Sequence, residues 1–193
     1  MPSPKQYNRD EVLDRAIALF RRQGYSATST AELVEGLGMN RKSMYAEFGS
    51  KQDLFEAALE RYSEIYLTRV LAPIEAPGAN AQSIRDAFDG YASASETPFR
   101  GLGCLMANTA VERAALDPGS ARFVDAYLER LTAGFRRALE RAEADGDLRD
   151  GANADDLAAH FANAVVGISA LLRARATPEM TYAASRGILS VLD

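Results

Sequence analysis

The chain has 193 residues, 47% of them hydrophobic and 25% charged, which is typical of a soluble globular protein. It contains no run of about 18 apolar residues, and its amino terminus lacks the apolar segment of a signal peptide. We therefore expect a cytoplasmic location and no membrane partner. One cysteine and one histidine are too few for an intrachain disulfide or a Cys/His zinc cluster, so no metal site and no cofactor are expected.

The net charge of −5 is unevenly divided along the chain. Residues 1–61 carry nine basic and nine acidic side chains, whereas residues 62–193 carry 13 basic and 18 acidic ones. The overall charge therefore does not indicate nucleic-acid binding. Any such function must depend on where individual cations are displayed.

The first helix is predicted over residues 9–22, where apolar side chains repeat with a helical period and stop before Gly24. A second helix should begin near Thr30, because Ser29 and Glu32 stand at the two positions of a capping box. Gly38 can adopt the left-handed backbone conformation that ends this helix without a Cβ clash. The spacing therefore predicts a short helix and then a tight turn.

A third helix should run from Arg41 to about Phe48, with Asn40 as its cap. Met44 and Phe48 would point inward, which leaves an outward-facing polar set: Asn40, Arg41, Lys42, Ser43 and Tyr45. Two short helices hinged at a glycine, with basic groups exposed on the second, are the layout of a DNA-reading helix-turn-helix.

Residues 10–55 also carry a longer pattern: Ala18-x-Phe20, Gly24-Tyr25, Thr28-Ser29, Leu33-Val34, Gly38-Met39-Asn40, Met44-Tyr45, Phe48-x-Ser50-Lys51 and Leu54. This pattern resembles the N-terminal motif of the tetracycline-repressor (TetR) family of bacterial transcription regulators. Two positions differ, since the family commonly has Ser or Thr where Asn40 stands and often Gly where Lys42 stands. Asn40 is an equivalent helix cap, whereas Lys42 adds a charge where a glycine lets the backbone approach DNA closely.

The resemblance implies an all-α fold of about nine helices, with a helix-turn-helix domain over residues 1–50 and an effector-binding and dimerisation domain over residues 51–193. It also implies a homodimer that binds a double-stranded DNA operator. Such a regulator is most often a repressor, released from a palindromic operator by a small-molecule effector. The identity of that effector is not implied.

The position of each residue in the motif predicts whether it contacts a base or a phosphate. Residues on the first turn of the recognition helix should face base edges, and these are Asn40, Arg41, Lys42 and Ser43. Lys51 lies at the amino end of a helix, where backbone donors and the helix dipole favour a phosphate. The other expected phosphate contacts are Tyr45, Thr28 and Ser29.

The rest of the chain is predicted to be helical, with no β-strand pattern. Ser50 and Asp53 form a second box, which begins a long helix at Lys51 that runs to about Leu71 and links the two domains. A break is expected over residues 73–80. Further helices are predicted over residues 82–95, 104–116, 118–144, 154–175 and 178–192.

Aromatic and soft side chains on the middle helices suit an apolar pocket with a few polar tips. Regulators of the resembled family bury their effector between these helices, and the segment from Gly103 to Glu112 resembles one that recurs in a subgroup of them. The alternative is that these side chains are ordinary core. The candidate pocket residues are Tyr62, Tyr66, Phe88, Tyr91, Phe99, Cys104, Met106, Asn108, Phe123, Tyr127 and Phe161.

The helix over residues 154–175 has a wide apolar stripe, and small residues occupy much of its remaining surface. Such a helix should be buried on more than one side. In the resembled family the last two helices pair with those of a second subunit, and the alternative is a plain intrachain core. The candidate interface residues are Phe161, Val165, Ile168, Leu172, Ile188 and Leu192.

Cys104 offers an alternative function, that of a thiol-based sensor of electrophiles or oxidants. It would lie in the first turn of a helix, where backbone N–H groups favour a reactive thiol, and Arg100 is near in sequence. The competing interpretation, which we expect, is a small structural thiol. His160 is the one histidine of the chain, and it is expected to make a pocket or core hydrogen bond and not to bind a metal.

Two further function classes are weaker. An enzyme is not expected, because the chain has no nucleophile motif, no phosphate loop and no carboxylates paired at metal spacing. A helical adaptor without a DNA role would leave the exposed Arg41 and Lys42 unexplained.

Overall fold

The computed structural model describes residues 7–149 and 151–193, and this part of the chain forms nine helices and no β-strand. The expected all-α fold is confirmed, and residues 1–6 of the predicted first domain lie outside the described residues. Two short 3-10 turns, Ala94–Glu96 and Ser190–Leu192, continue the helices that end at Ser93 and Leu189. The helices are α1 Arg9–Gln23, α2 Thr30–Leu37, α3 Arg41–Phe48, α4 over 51–75, α5 Ala81–Ser93, α6 Leu105–Glu112, α7 Pro118–Asp145, α8 Ala154–Arg173 and α9 Pro178–Leu189.

The long helix α4 has three parts: an α-helix Lys51–Arg61, a π-helical stretch Tyr62–Leu67 and an α-helix Thr68–Glu75. The predicted break beginning at Pro73 is wrong, because the helix continues through this proline. Proline removes one backbone donor, but continuing the helix keeps Leu71 and Ile74 buried, at 0% and 1% exposure. The break is confined to residues 76–80.

Helix α6 is shorter than expected and ends at Glu112 instead of near Leu116. Arg113 leaves the helical conformation with φ −141°. Leu116 is 82% exposed, so no apolar burial would support a further helical turn. The last residue of α6, Glu112, contacts the loop between α1 and α2.

Helices α1–α3 form a unit that we call the reading head. Its predicted caps are confirmed: Ser29 and Glu32 make a reciprocal capping box, the Asn40 side chain caps α3, and Gly38 takes a left-handed conformation with φ +67°. Phe20 of α1 meets Phe55 of α4 edge-on, with ring centroids 4.8 Å apart. This contact packs the first part of α4 onto the head.

Helices α5–α9 and the second half of α4 form the body. Its core contains Phe88, Phe135 and Phe161, which are completely buried and have ring centroids 5.5–6.1 Å apart. Arg130 of α7 pairs with Glu75 at 2.6 Å and so holds the end of α4. Of the helices in the described part of the chain, none combines the length and apolarity needed to cross a membrane.

Replacing Gly38 by alanine should lower the free energy of unfolding by about 1 kcal/mol or more, because a Cβ is strained at this positive φ. The matched control is Gly90→Ala, since an added Cβ at Gly90 in α5 meets no atom within 4 Å. That change should raise stability by about 0.5–1 kcal/mol. Urea unfolding followed by circular dichroism measures both variants, and equal midpoints would contradict the turn assigned to Gly38.

Candidate nucleic-acid interface and adjoining cavity

The first turn of α3 displays the polar side chains predicted to face outward. Asn40, Arg41 and Lys42 are exposed, and Ser43 and Tyr45 are half-buried. Asn40 Oδ1 accepts a hydrogen bond from the Ser43 backbone N–H at 2.8 Å, which fixes the start of the helix. The turn therefore presents two cations and several polar groups that match base edges in a major groove.

Tyr45 connects α3 to α2. Its hydroxyl lies 3.5 Å from Thr30 Oγ1, and the Arg41 guanidinium lies 5.6 Å from its ring centroid. The hydrogen bond with Thr30, followed by one with Arg41, lowers the pKa of the Tyr45 hydroxyl. Both neighbours orient the ring at the edge of the helix-turn-helix.

The two residues predicted to contact phosphate before α2 differ in exposure. Ser29 is exposed and caps α2, whereas Thr28 is 0% exposed. Thr28 Oγ1 donates a hydrogen bond to the Gly24 carbonyl oxygen at 2.5 Å. The prediction of a phosphate contact from Thr28 is therefore wrong, because its hydroxyl stabilises the α1–α2 loop from inside the head.

Lys51 is half-buried in the first turn of α4, directly after the Ser50 cap. Its Nζ lies 4.2 Å from the Tyr25 ring centroid, and Arg113 Cζ lies 3.7 Å from the same centroid. Burial, followed by the positive charge of Arg113, lowers the pKa of Lys51. The ring therefore orients the ammonium group at the edge of the head.

The end of α6 is joined to the α1–α2 loop by Glu112. Its carboxylate accepts hydrogen bonds from the backbone N–H of Tyr25 at 3.1 Å and of Ser26 at 2.7 Å. No local sequence pattern predicts this contact, because the partners are 87 and 86 positions apart. Glu112 thereby links the body to the reading head.

A cavity of about 370 Å³ lies between α1, α4, α5, α8 and the segment before α6. Five of the predicted pocket residues line it: Tyr62, Tyr66, Tyr91, Phe99 and Cys104. The lining residues that were not predicted are Arg21, Val70, Gly90, Ser93, Ala94, Thr97, Gly103, Ser169 and Leu172.

Four predicted pocket residues belong to the core instead of the cavity wall. Phe88, Met106 and Phe161 are each 0% exposed. Tyr127 is 3% exposed and lies behind Cys104, whose Sγ donates a hydrogen bond to the Tyr127 hydroxyl at 3.9 Å. Helical periodicity predicted that these positions are buried, but it does not separate a cavity wall from solid packing.

Two more predicted pocket residues lie elsewhere. Phe123 lies beneath the Arg122 guanidinium, 4.6 Å from the ring centroid. Asn108 donates a hydrogen bond to the Leu102 carbonyl oxygen and lines a separate cavity of about 350 Å³. Asn108 therefore lines the second cavity and not the first, and Phe123 lines neither of the two.

Aromatic hydroxyls dominate the wall that α4 and α5 form. The rings of Tyr62 and Tyr66 stack with centroids 5.3 Å apart. Burial raises the pKa of the Tyr62 and Tyr91 hydroxyls well above the usual range, so both groups are neutral at physiological pH. The Tyr66 hydroxyl donates to Asp14 at 3.5 Å and thereby reaches α1.

Cys104 is the N-cap of α6 and lines the cavity as a half-buried residue. Arg100 donates Nε and Nη2 to the Arg175 carbonyl oxygen at 3.2 and 2.8 Å, so its guanidinium is engaged there. Thiol sensing by Cys104 stays a prediction. The expected hydrogen bond of His160 is confirmed, since its Nε2 lies 3.3 Å from the Ile188 carbonyl oxygen, and the residue is half-buried.

Most of the residues predicted to lie between subunits are buried within one chain. Ile188 is half-buried. The other five are Phe161, Val165, Ile168, Leu172 and Leu192, at 0%, 2%, 1%, 6% and 3% exposure. Their assignment to a subunit interface is wrong, because an apolar stripe indicates burial without indicating which chain supplies it.

The surface that α8 and α9 leave exposed is a different one, which we call the small-residue face. An added Cβ at Gly167 or Gly187 meets no atom within 4 Å. Under this name we group two exposed stripes, which are Ala159, Asn163, Gly167, Ala170 and Ala174 on α8, and Met180, Ala183 and Gly187 on α9.

Two family models match the chain. The model for bacterial regulatory proteins of the tetR family matches residues 12–58, and the model for the tetracyclin repressor-like C-terminal domain matches residues 81–188. Together they cover both the reading head and most of the body.

Relatives and solved structures agree with these matches. The chain is 36% identical over 144 residues to the uncharacterized HTH-type transcriptional regulator YezE of Bacillus subtilis, covering 75% of this chain and 74% of that protein. It is 37% identical over 106 residues to the HTH-type transcriptional repressor ComR of Escherichia coli, covering 54% and 50%. A structure of the TetR family regulator CifR, complexed with 26 bp double-strand operator DNA, has a TM-score of 0.84 at 25% identity, covering 97% of this chain and 98% of that chain.

Replacing Glu112 by alanine should increase the hydrogen-exchange rates of the Tyr25 and Ser26 amides, because both lose their acceptor. Glu60→Ala removes an exposed carboxylate from α4 and serves as the control. Deuterium uptake of a peptide covering residues 24–28 measures the effect. Unchanged uptake in the Glu112 variant would show that other contacts hold the loop.

Proposed function

The chain belongs to the TetR family of bacterial transcription regulators, and we propose that it is a repressor that a small molecule releases from a palindromic DNA operator. The observation that carries the proposal is the continuity of α4. One end of this helix holds Lys51 at the edge of the reading head, and its middle presents Tyr62 and Tyr66 to the cavity. A molecule in the cavity would therefore contact the helix on which the head is packed. Regulators of this family are generally not enzymes.

Two related proteins support the DNA role. ComR is a transcriptional repressor by name, and the CifR structure contains operator DNA. We divide the present chain into a DNA-binding domain over residues 1–50 and an effector-binding and dimerisation domain over residues 51–193. The segment 59–80 between the two family matches then carries the connection, and it contains the π-helical stretch of α4.

We assign the DNA contacts from exposure and position. Phosphate contacts are assigned to Ser29 at the start of α2, Tyr45 on α3 and Lys51 at the start of α4, all of which are at least partly exposed. Thr28 has a supporting role only, because its hydroxyl bonds Gly24. Base contacts are assigned to the first turn of α3, namely Asn40, Arg41, Lys42 and Ser43.

We infer that the regulator is a homodimer that uses the small-residue face. Small side chains let two helices approach closely, and Met180 at 54% exposure is a large apolar side chain left uncovered on this face. Two recognition helices about 34–36 Å apart meet successive major grooves on one side of a duplex. A ligand that shifts α4 changes that separation and so lowers operator affinity, provided that it prefers the shifted state.

Replacing Arg41 by alanine should weaken operator binding by about 1–3 kcal/mol and relax the preference at particular bases. Lys51→Ala should weaken all sequences alike, because a phosphate contact carries no sequence information. The operator is taken from an inverted repeat in the DNA that flanks the coding region, and fluorescence anisotropy measures affinity for it and for a scrambled duplex.

Arg69→Ala is the control for these two variants, since Arg69 is an exposed arginine on the body half of α4. It should leave both affinities unchanged. If Arg41→Ala weakened all duplexes equally and Lys51→Ala changed base preference, the assignment would be reversed. If the wild type bound neither duplex in a salt-dependent manner, the DNA role itself would be refuted.

Replacing Gly167 by arginine should split the dimer and reduce operator affinity while helix content is retained. The added side chain projects from α8 into open space in the single chain, but it would separate two small-residue faces. Gly78→Arg makes the same change at another open position, in the loop after α4, and should stay dimeric. Analytical ultracentrifugation distinguishes the two, and a dimeric Gly167→Arg variant would exclude this face as the interface.

A further inference from the structure

The cavity wall has an unbalanced charge. Among the described residues that line the cavity, Arg21 is the one charged side chain, and no aspartate or glutamate lies on the wall. Arg21 makes no ion pair with any acidic side chain in the described part of the chain. An ion in the cavity would therefore meet a cation that no carboxylate neutralises.

Arg21 is held in place but keeps free donor capacity. Its Nε and Nη2 donate to the Gly103 carbonyl oxygen at 3.1 and 2.5 Å. Its Cζ lies 5.7 Å from the Tyr62 ring centroid and 5.4 Å from the Phe99 ring centroid. Nη1 donates to no described residue, so the planar guanidinium lies near two aromatic rings and keeps an unused donor edge.

The hydroxyl groups on the wall divide into used and unused donors. Ser93 and Thr97 donate to the Gly90 and Ala94 carbonyl oxygens. The hydroxyls of Tyr91 and Ser169 have no hydrogen-bond partner among the described residues. Burial keeps the Tyr91 hydroxyl protonated by raising its pKa, so it can act only as a neutral donor or acceptor. The groups of the wall that have no partner are thus the Arg21 Nη1 edge, which can only donate, and the Tyr91 and Ser169 hydroxyls, which can donate or accept.

The same wall is apolar around these donors. Phe99 and Val70 line the cavity and are 51% and 46% exposed, so their apolar surface is accessible to a bound molecule. The face of Phe99 and the stacked pair of Tyr62 and Tyr66 offer flat surfaces to an aromatic ring. A ligand that suits both the donor edge of Arg21 and this apolar wall has a flat apolar part and a single acceptor group.

We propose that the cavity binds a small aromatic carboxylate, whose charged group is held by Arg21 and whose ring lies against Tyr66 and Phe99. This assignment of ligand class rests on the proposed role of the cavity as the effector site. An ionised acceptor forms a stronger hydrogen bond than the neutral carbonyl of Gly103. The carboxylate therefore competes with Gly103 for Arg21, which belongs to α1 of the reading head.

The test compares two probes of nearly equal shape, 2-naphthoate and its neutral isostere 2-naphthamide, by isothermal titration calorimetry in the absence of DNA. Wild-type protein should bind the naphthoate about tenfold more tightly or better, the effect expected for a charge-assisted pair. Arg21→Gln should bind the two probes equally. Arg22→Gln removes the neighbouring exposed arginine, which is not part of the cavity wall, and should keep the wild-type preference.

Arg21→Lys keeps the positive charge but loses the planar guanidinium, so it should keep part of the preference for naphthoate. Circular dichroism checks that each variant is folded. Three outcomes would overturn the proposal. The wild type could bind both probes equally, it could bind neither probe, or the preference for naphthoate could survive in Arg21→Gln. The calorimetry contains no DNA, so it tests the ligand class alone. A failure of the proposed function would look different: naphthoate would bind with the expected preference, but in a separate DNA-binding measurement it would not release the operator.

Discussion

The reading head is held to the body by hydrogen bonds between its residues and the segment around α6. Glu112 at the end of α6 accepts the Tyr25 and Ser26 N–H groups, and Arg21 at the end of α1 donates to the Gly103 carbonyl oxygen just before α6. A carboxylate that accepts two N–H groups and a guanidinium that donates two bonds are among the stronger pairs in proteins. Because Gly103 also lines the cavity, α6 connects the cavity to the loop that positions α2 and α3.

Helix α4 forms a second connection, and two ion pairs hold it. Near its middle, Arg61 pairs with Asp14 of α1 at 2.8 Å, and this bond lowers the pKa of the Asp14 carboxyl. At its carboxyl end, Arg130 of α7 lowers the pKa of the Glu75 carboxyl in the same way. The π-helical stretch lies between these two pairs and carries the tyrosines of the cavity wall. A π-helical stretch inside an α-helix is often found at functional sites, and here it is the part of α4 that a ligand would touch.

The helix-turn-helix was predictable because each of its boundaries is set locally. Ser29 and Glu32 lie three positions apart, and Gly38 ends α2 through its own conformation. Only some of the residues that line the cavity were predictable, since periodicity predicts which side chains are buried but not which of them border an empty space. Arg21 was missed because it belongs to α1, which was assigned to the reading head. The α8 stripe was predicted to be buried and is buried, but Ile168 packs inside the chain. Exposed small residues such as Gly167 carry no hydrophobic signal, so the open face of α8 is visible only in three dimensions.

In the proposed mechanism the two connections respond to different properties of a ligand. Displacement of Tyr62 within α4 requires only volume, so a neutral molecule and its anion would act there alike. Release of Arg21 from Gly103 requires an acceptor stronger than a carbonyl oxygen, so it depends on the charge of the ligand. The coupling free energy between ligand binding and operator binding is therefore larger for the charged ligand than for the neutral one. By linkage, operator DNA must weaken the binding of the charged ligand by more than that of its neutral isostere.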